Sequence, residues 1–482
     1  MADEGIFSTA RPKALRPASL SVGAHVEGIL DEDIPTIRAL IKVWRDRFPG
    51  NIIKSGYYFA KYHIKDFGIS IPPRILTQVH ACVGWPAKAV RSLADLTVFD
   101  GYDLAVDDYD VNALANRMAL DTIIPEAIVS AYTHGCSFLT VTGGDDGTPV
   151  VTPRSAEYSS ALWDGTHNRL AAVLTVNDAN SNGAVTAWNV FLPGKFYEVM
   201  RDGRAWKAVK TDTRWPEPLA VPFISDPQLS RPLGRSRITP TLRALTDMAF
   251  RTYVRMEASA EFYSVPKLWF LGASQDAFDK DTWSNLVSSI NGIPGDDEGN
   301  KPTMQQVTQA SMTPHSEMLK TIAMSVAAET NLPVDSLGIT LTNPTSAEAM
   351  AAAERRLTRD ADRQNRLFGF QLEKLMRMCV CLRDGLSSPP ESLDGLRAVF
   401  SPTREVSDGA RGDFYLKVSQ VNPTYATSTV GLRRLGLSSD EIASLQAATS
   451  KATATSALDM LLNGGANADN DGGREPSATG AE

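Results

Sequence analysis

The chain has 482 residues, 43% of them hydrophobic and 22% charged, with a formal net charge of −8 at pH 7. That length exceeds one ordinary core, so two or more domains are expected, with the composition of a soluble folded protein. The acidic balance argues against a tight, general nucleic-acid binder, though not against loose contact with DNA. The lack of any run of 18 apolar residues argues against a membrane-spanning helix.

Residues 1–24 carry scattered Pro, Ser and basic side chains and read as a flexible N-terminal arm without the apolar stretch of a signal peptide. The expected setting is the cytoplasm, or something assembled there. Asp33-Ile34-Pro35 opens a helix with Ile37, Leu40, Ile41 and Trp44 on one face, and the aromatic stretch 56–74 reads as irregular. A helical pattern returns over 74–96, broken near Gly84-Trp85-Pro86. Residues 98–106 read as a short strand pair around Gly101, and Asp110 as the N-cap of one helix running to His134, with Pro125 inside it.

The character then changes. Segments 137–141, 150–152, 170–176, 184–191, 196–200 and 205–210 are short and β-rich, separated by Gly/Asn/Asp turns, and read as one antiparallel meander. Pro216, Pro218, Pro222, Pro227 and Pro232 mark an extended linker. A long helix follows from Pro240, striped by Leu242, Leu245, Ala249, Thr252, Met256, Ala260 and Tyr263. Residues 264–311 form a compact insert with Trp269, Trp283 and a polar tip at 294–302. A helix from about 314 to 330 places Met318, Ile322 and Val326 four apart.

The longest element comes next. No Gly or Pro interrupts the chain between Pro344 and Gly369, and Asn343-Pro344-Thr345-Ser346 suits a helix start. Leu357, Ala361, Gln364, Phe368, Leu372, Leu375, Cys379 and Leu382 recur at spacings of three and four, one stripe of a helix of roughly 60 Å. Arg355, Arg359, Arg366 and Arg377 mark its polar side. They suit either a solvated or inter-subunit face, with Glu354, Asp360, Asp362 and Glu373 as partners, or contact with DNA phosphates. Eight basic against six acidic residues over 345–384 favour the first. Two short helices, 427–435 and 439–462, precede a Gly/Asn/Asp-rich acidic tail at 463–482 that reads as disordered.

Little here reads as reaction chemistry. There is no phosphate-binding G-x-x-x-x-G-K-[ST], the nearest string being Pro193-Gly194-Lys195-Phe196, and neither HExxH nor GxSxG occurs. Asp107, Asp108 and Asp110 read as a solvated loop and helix cap rather than a cation site, and His134-Gly135-Cys136 as a helix end capped by glycine rather than a Cys/His pair. Cys82, Cys136, Cys379 and Cys381 show no zinc spacing and read as reduced, mostly buried thiols. No catalytic residue, metal or cofactor is expected.

Several stretches together resemble the portal (head–tail connector) proteins of tailed double-stranded DNA bacteriophages, in the siphovirus-type branch common in phages of actinobacteria. They are Gly84-Trp85-Pro86 through Phe99-Asp100-Gly101-Tyr102, His134 through Val141, Val221-Pro222-Phe223, and Gly234-Arg235-Ser236-Arg237-Ile238. Leu245-Thr246-Asp247, Ala260-Glu261-Phe262 and the TNPTSAEAM entry to the long helix continue the series. The likeness spans roughly 35–462. Arg237 departs from it, standing where that family usually has an acidic residue.

The resemblance implies an α+β, multi-domain portal fold: wing 25–235, stem helix 236–263, clip 264–311, second stem helix and connection 312–337. Tunnel loop 338–345, long tunnel/wing helix 346–385 and crown 386–462 complete it. It implies a homo-oligomeric ring, typically of twelve, at one capsid vertex of the virion, with double-stranded DNA passing through it without sequence readout. It further implies docking of the terminase large subunit and then of a head-completion or adaptor protein, contact with major capsid and scaffolding proteins, and no membrane.

The uncharged loop Gly338, Ile339, Thr340, Leu341, Thr342, Asn343 would lie near DNA. Arg355, Arg359, Arg363 and Arg366 are candidates for DNA or inter-subunit contact. Trp269, Trp283, Asp296, Asp297, Glu298 and Lys301 are clip candidates for partner docking, although the two tryptophans also suit a clip core. A capsid-associated structural or scaffolding protein that does not enclose DNA is the alternative, and a DNA-processing enzyme ranks last.

Overall fold

A computed structural model describes residues 20, 26–61, 83–104, 107–144, 147–263, 268–271, 303–306, 311–338, 347–404, 408–437 and 439–464. The fold is α+β, and helices and sheets share three apolar cores.

Helix α1 (Ile34–Tyr58) covers one face of a six-stranded sheet. Its expected stripe is the buried one, with Leu40 and Trp44 at 1% exposure or less. Pro49 lies inside α1 at an exposed position, so the helix continues into the aromatic stretch expected to be irregular. The sheet is a meander of β5 (Ser159–Asp164), β6 (Arg169–Ala179), β7 (Val185–Leu192), β8 (Lys195–Asp202) and β9 (Ala205–Asp212), with β1 (Val26–Glu27) parallel to β9 at the edge. The helix is bolted to it by hydrogen bonds that its own backbone ladder cannot supply. Trp44 Nε1 donates to Glu157 O at 2.8 Å, Asn51 Nδ2 to Ala156 O at 2.8 Å, and Ser160 Oγ to Leu40 O at 2.8 Å.

The meander accounts for only part of the β-rich region. The strands β3 (Cys136–Gly143), β4 (Pro149–Ser155) and β10 (Ala220–Ile224) form a separate three-stranded sheet in the order β10-β3-β4. Thus the Pro-rich 216–232 stretch is not wholly linker. Pro222 sits within β10, and an edge strand tolerates the missing donor. The expected strand pair around Gly101 is instead one strand, β2 (Phe99–Asp103), paired with the distant β13 (Arg397–Phe400).

The helix expected over 110–134 is two: α3 (Val111–Arg117) and α4 (Leu120–His134), separated by Ala119 in the left-handed region at φ 52°. Asp110 is itself left-handed (φ 51°) and does not cap. The Asp107 carboxylate accepts from Val111 N at 2.9 Å instead. Helix α2 (Trp85–Ala94) starts with Pro86 in its first turn and packs on α4.

Helices α5 (Pro240–Tyr263) and α6 (Thr313–Thr330) pack together through Ala249, Phe250, Val254 and Ile322. The α5 stripe is buried at Leu242, Ala249 and Thr252 but surfaces at Ala260, and Met318 of α6 is 38% exposed. Between them β11 (Leu268–Leu271) and β12 (Thr303–Gln306) pair antiparallel. The long α7 (Ala347–Asp384) crosses the main core. Its end at Gly385 (φ 65°) leads to β13. In the C-terminal part the two expected helices are present as α10 (Thr429–Leu435) and α11 (Ser439–Gly464), and α8 (Asp408–Val421) and α9 (Pro423–Thr427) precede them.

Candidate functional site

Every expected stripe residue of α7 from Leu357 to Cys379 is buried, Leu372 and Leu375 completely, and Leu382 is half-buried. Phe368 is the centre of this face. It stacks on Phe223 at 4.8 Å and meets Tyr132 at 5.8 Å, joining α7 to β10 and α4. Gln364 lies on the same face because it completes the end of β10: its Oε1 accepts from Asp226 N at 2.9 Å and its Nε2 donates to Ile224 O at 3.1 Å. The Tyr102 hydroxyl donates to Leu372 O at 3.0 Å, and burial holds its pKa well above the ordinary phenol value.

Arg355, Arg359, Arg363 and Arg366 are all exposed, on the side away from that core. Only Arg363 forms an ion pair among the described residues, with Asp360 at 2.8 Å. Glu373 pairs with Arg397 and Asp362 accepts from Thr403, so neither is a partner for the helix's own arginines. Arg377 is half-buried and donates from Nε to Leu393 O at 3.2 Å, which takes it off the exposed arginine face.

The loop leading into α7 begins after the 3₁₀ turn Asp335–Leu337, with Gly338 at φ 81°. Ile339, Thr340, Leu341, Thr342 and Asn343 lie outside the described residues. So do Trp283, Asp296, Asp297, Glu298 and Lys301 in the segment between α5 and α6. Trp269 lies on β11 opposite Gln305.

The start of α5 sits against the end of α6. Thr239 Oγ1 donates to Glu329 Oε1 at 2.7 Å. The residues just before α5, part of the stretch that resembles portal proteins, form a junction whose contacts no local pattern announces. Gly234 (φ 75°) packs so closely that a Cβ there would meet Ser225 O at 2.2 Å, and Gly135 (φ 109°) lies beside Ser236. Arg235 N donates to Ser225 O, Ser225 N to Gly135 O, and Arg237 N to Tyr132 O. The half-buried Arg237 donates from Nε to Ala89 O at 2.9 Å and from Nη2 to Thr330 O at 2.8 Å. It thereby ties α2, α5 and the C-terminal carbonyls of α6 together. Tyr57 makes a second tie, donating to Asp247 at 2.9 Å, and burial with that bond pushes its pKa up to about 12.

His134, at the end of α4, sits 2.9 Å from Ser55 Oγ and 3.5 Å from Glu157 Oε1, both through Nε2, while Nδ1 faces Ser130 O at 3.1 Å. A nucleophile relay needs serine and carboxylate on opposite ring nitrogens. Here Ser55 and Glu157 share Nε2, so these three groups form a half-buried polar tie and not a catalytic triad, while the Ser130 and Ser155 hydroxyls lie 3.4 Å from Nδ1. Burial raises the Glu157 carboxyl, but its contacts with His134 and Ser55 outweigh that and leave it below the ordinary range. Burial pushes the Cys136 thiol up to about 11, which keeps it protonated and unreactive. Among the described residues no group of three His, Cys, Asp or Glu side chains could hold a metal, and no helix is long and apolar enough to cross a membrane.

The family model described as phage portal protein, SPP1 Gp6-like, matches residues 60–432. The chain belongs to the phage portal protein family. The portal proteins of Mycobacterium phages L5 and D29 are each 29% identical to it, over 75% and 73% of this chain and 77% and 76% of their own lengths. Two solved structures, a virion of a native gene transfer agent particle and the neck of a native GTA particle computed with C12 symmetry, align at TM-scores of 0.44 and 0.42. Their identities are 13% and 12%, covering 81% and 88% of this chain and 99% and 98% of theirs. Portal proteins are structural and not enzymes. The expectation of a portal-family chain without catalytic chemistry therefore stands.

Proposed function

We propose that copies of this chain close into a ring, of twelve in the virion, at one capsid vertex, where the ring is the conduit for DNA packaging and ejection. The terminase large subunit docks on it during filling and supplies the ATP hydrolysis. Head-completion or adaptor and tail proteins replace it afterwards, and major capsid and scaffolding proteins surround it. Membership of the portal family over residues 60–432 carries this reading. Two packed helices bracketing an antiparallel strand pair support it in detail, with α5 and α6 as stem and 264–311 as clip. The uncovered apolar side chains of α8 are in keeping with it: Phe414, Leu416 and Val421 are 50%, 58% and 87% exposed on a helix with no buried residue, apolar surface of the kind that neighbours cover.

Residues 338–345 are the tunnel loop, 346–385 the tunnel and wing helix, 25–235 the wing and 386–462 the crown. Gly338 through Asn343 carry no charge. A duplex bears about one charge per 1.7 Å of axis, so a basic loop would hold it at many points, whereas hydroxyl and apolar groups let it slide without sequence readout. The T340D/T342D variant is expected to package DNA several-fold more slowly while forming normal rings, read by nuclease-protected DNA. Packaging at the wild-type rate would remove the loop from the DNA path. Deleting 294–302 is expected to weaken terminase or adaptor capture in pull-downs with rings retained. Loss of the rings would show that the segment holds subunits together instead.

A further inference from the structure

A cleft of about 960 Å³ lies where α1, the C-terminal end of α4 and the loop before α5 converge. Five cationic side chains line it: Arg47 and Lys54 from α1, Arg231 and Arg235 from the loop, and Arg243 from the first turn of α5. None of the five forms an ion pair with a carboxylate among the described residues. Glu329, the one carboxylate in the wall, accepts the Thr239 hydroxyl. Lys54 Nζ donates only to neutral oxygens, Asn51 Oδ1 at 3.1 Å and His134 O at 2.7 Å. Arg243 lies over the Tyr57 ring at 5.9 Å, and its buried Nε has no hydrogen-bond acceptor. Burial lowers the Lys54 ammonium, and the charges on Arg243 and Arg47 lower it further. These cations repel one another across a cleft open to solvent, and a negatively charged occupant would relieve that repulsion.

The opposite charge stands at the other end of α4. Asp107, Asp108 and Asp110 precede α3, and Asp121 lies in the first turn of α4. All four are exposed, with Arg117 the only basic residue over 107–121. Fifteen residues of helix separate this acidic end from His134 in the cleft, about 20 Å at 1.5 Å per residue. The two ends of α4 therefore lie beside a basic pole and an acidic pole. A ring of identical subunits needs a heterologous contact, in which two different patches of the same chain meet.

We propose that the Arg47/Lys54/Arg231/Arg235/Arg243 cleft of one copy receives the Asp107–Asp121 carboxylate patch of the next copy, a head-to-tail electrostatic contact that closes the ring. The proposal rests on the ring reading above and adds to it which surfaces meet.

Two full-length variants test it, both confined to exposed positions that make no described hydrogen bond through their side chains: R47E/R231E/R235E and D108K/D121K. Each should keep the wild-type circular dichroism spectrum, yet form rings about tenfold less at a concentration where wild type assembles, read by mass photometry. Because one variant is acidic at both poles and the other basic at both, an equimolar mixture should assemble again, as alternating rings. Rings of wild-type mass and yield from either variant alone would overturn the contact while leaving the ring reading intact. A mixture that stays unassembled would also overturn it, since it would place the two patches on separate interfaces. A variant that assembles normally but loses DNA retention would overturn it in favour of phosphate contact. Failure of the wild type to form rings at all would instead strike the ring reading itself.

Discussion

At the residue scale the informative positions are polar groups buried against backbone. Arg237 has no carboxylate partner among the described residues; it is held by two carbonyls, from Ala89 and from Thr330 at the end of α6. A guanidinium there meets the negative end of the α6 dipole as well as satisfying a terminal carbonyl. Replacing it by methionine keeps the packing of the stem and removes both charge-assisted bonds, a loss of about 2 kcal/mol or more. R237M is expected to speed amide exchange at the C-terminal turn of α6 roughly thirtyfold, since each 1.4 kcal/mol is a factor of ten. Hydrogen–deuterium exchange followed by mass spectrometry reads this directly, and unchanged protection of residues 326–331 would show that the contact is not holding the helix.

Single elements differ sharply in how their two faces are used, and α7 is the clearest case. Phe368 is fully buried between Phe223 and Tyr132, whereas Phe370, two residues on, is 63% exposed. Truncating Phe368 to alanine leaves a cavity where three elements meet and should cost about 3–5 kcal/mol. The same change at Phe370 should stay within about 0.5 kcal/mol. The two melting curves of the full-length protein check this, with a drop of several degrees for F368A only. Equal shifts would mean that the 370 face is also buried in the assembled protein.

The same helix shows what could be read in advance. A 3.6-residue period leaves its mark in one segment, so the α7 stripe from Leu357 to Cys379 was legible, as were α1 and the meander strands with their Gly and Asn turns. Partnerships between distant segments leave no local mark. Nothing in 98–106 announces that Phe99–Asp103 pairs with Arg397–Phe400, and Pro222 disguises a strand that is viable only at a sheet edge. The α3–α4 break fell at Ala119, a good helix former held left-handed by its surroundings. At the candidate site the same limit holds. The arginine face of α7 was visible, but Glu373 and Asp362 turned out to serve Arg397 and Thr403, and the clasp around Gly135, Gly234 and Arg237 needs three segments brought together before it can be seen.

At the scale of the whole molecule, one copy is incomplete in two respects. Helix α8 leaves Phe414, Leu416 and Val421 uncovered, and five cations line a cleft whose wall holds one carboxylate, Glu329. Both are in keeping with a subunit whose neighbours finish it. The portal reading therefore stands or falls on closure. Electron microscopy of the purified full-length protein at micromolar concentration, in low salt and classified without imposed symmetry, tests it most directly. The expected result is annular particles with a central hole wide enough for a duplex and a mass that is an integer multiple, near twelve, of the 52.2 kDa chain. Particles that remain single copies at every concentration, or that pack into shells without a hole, would contradict it.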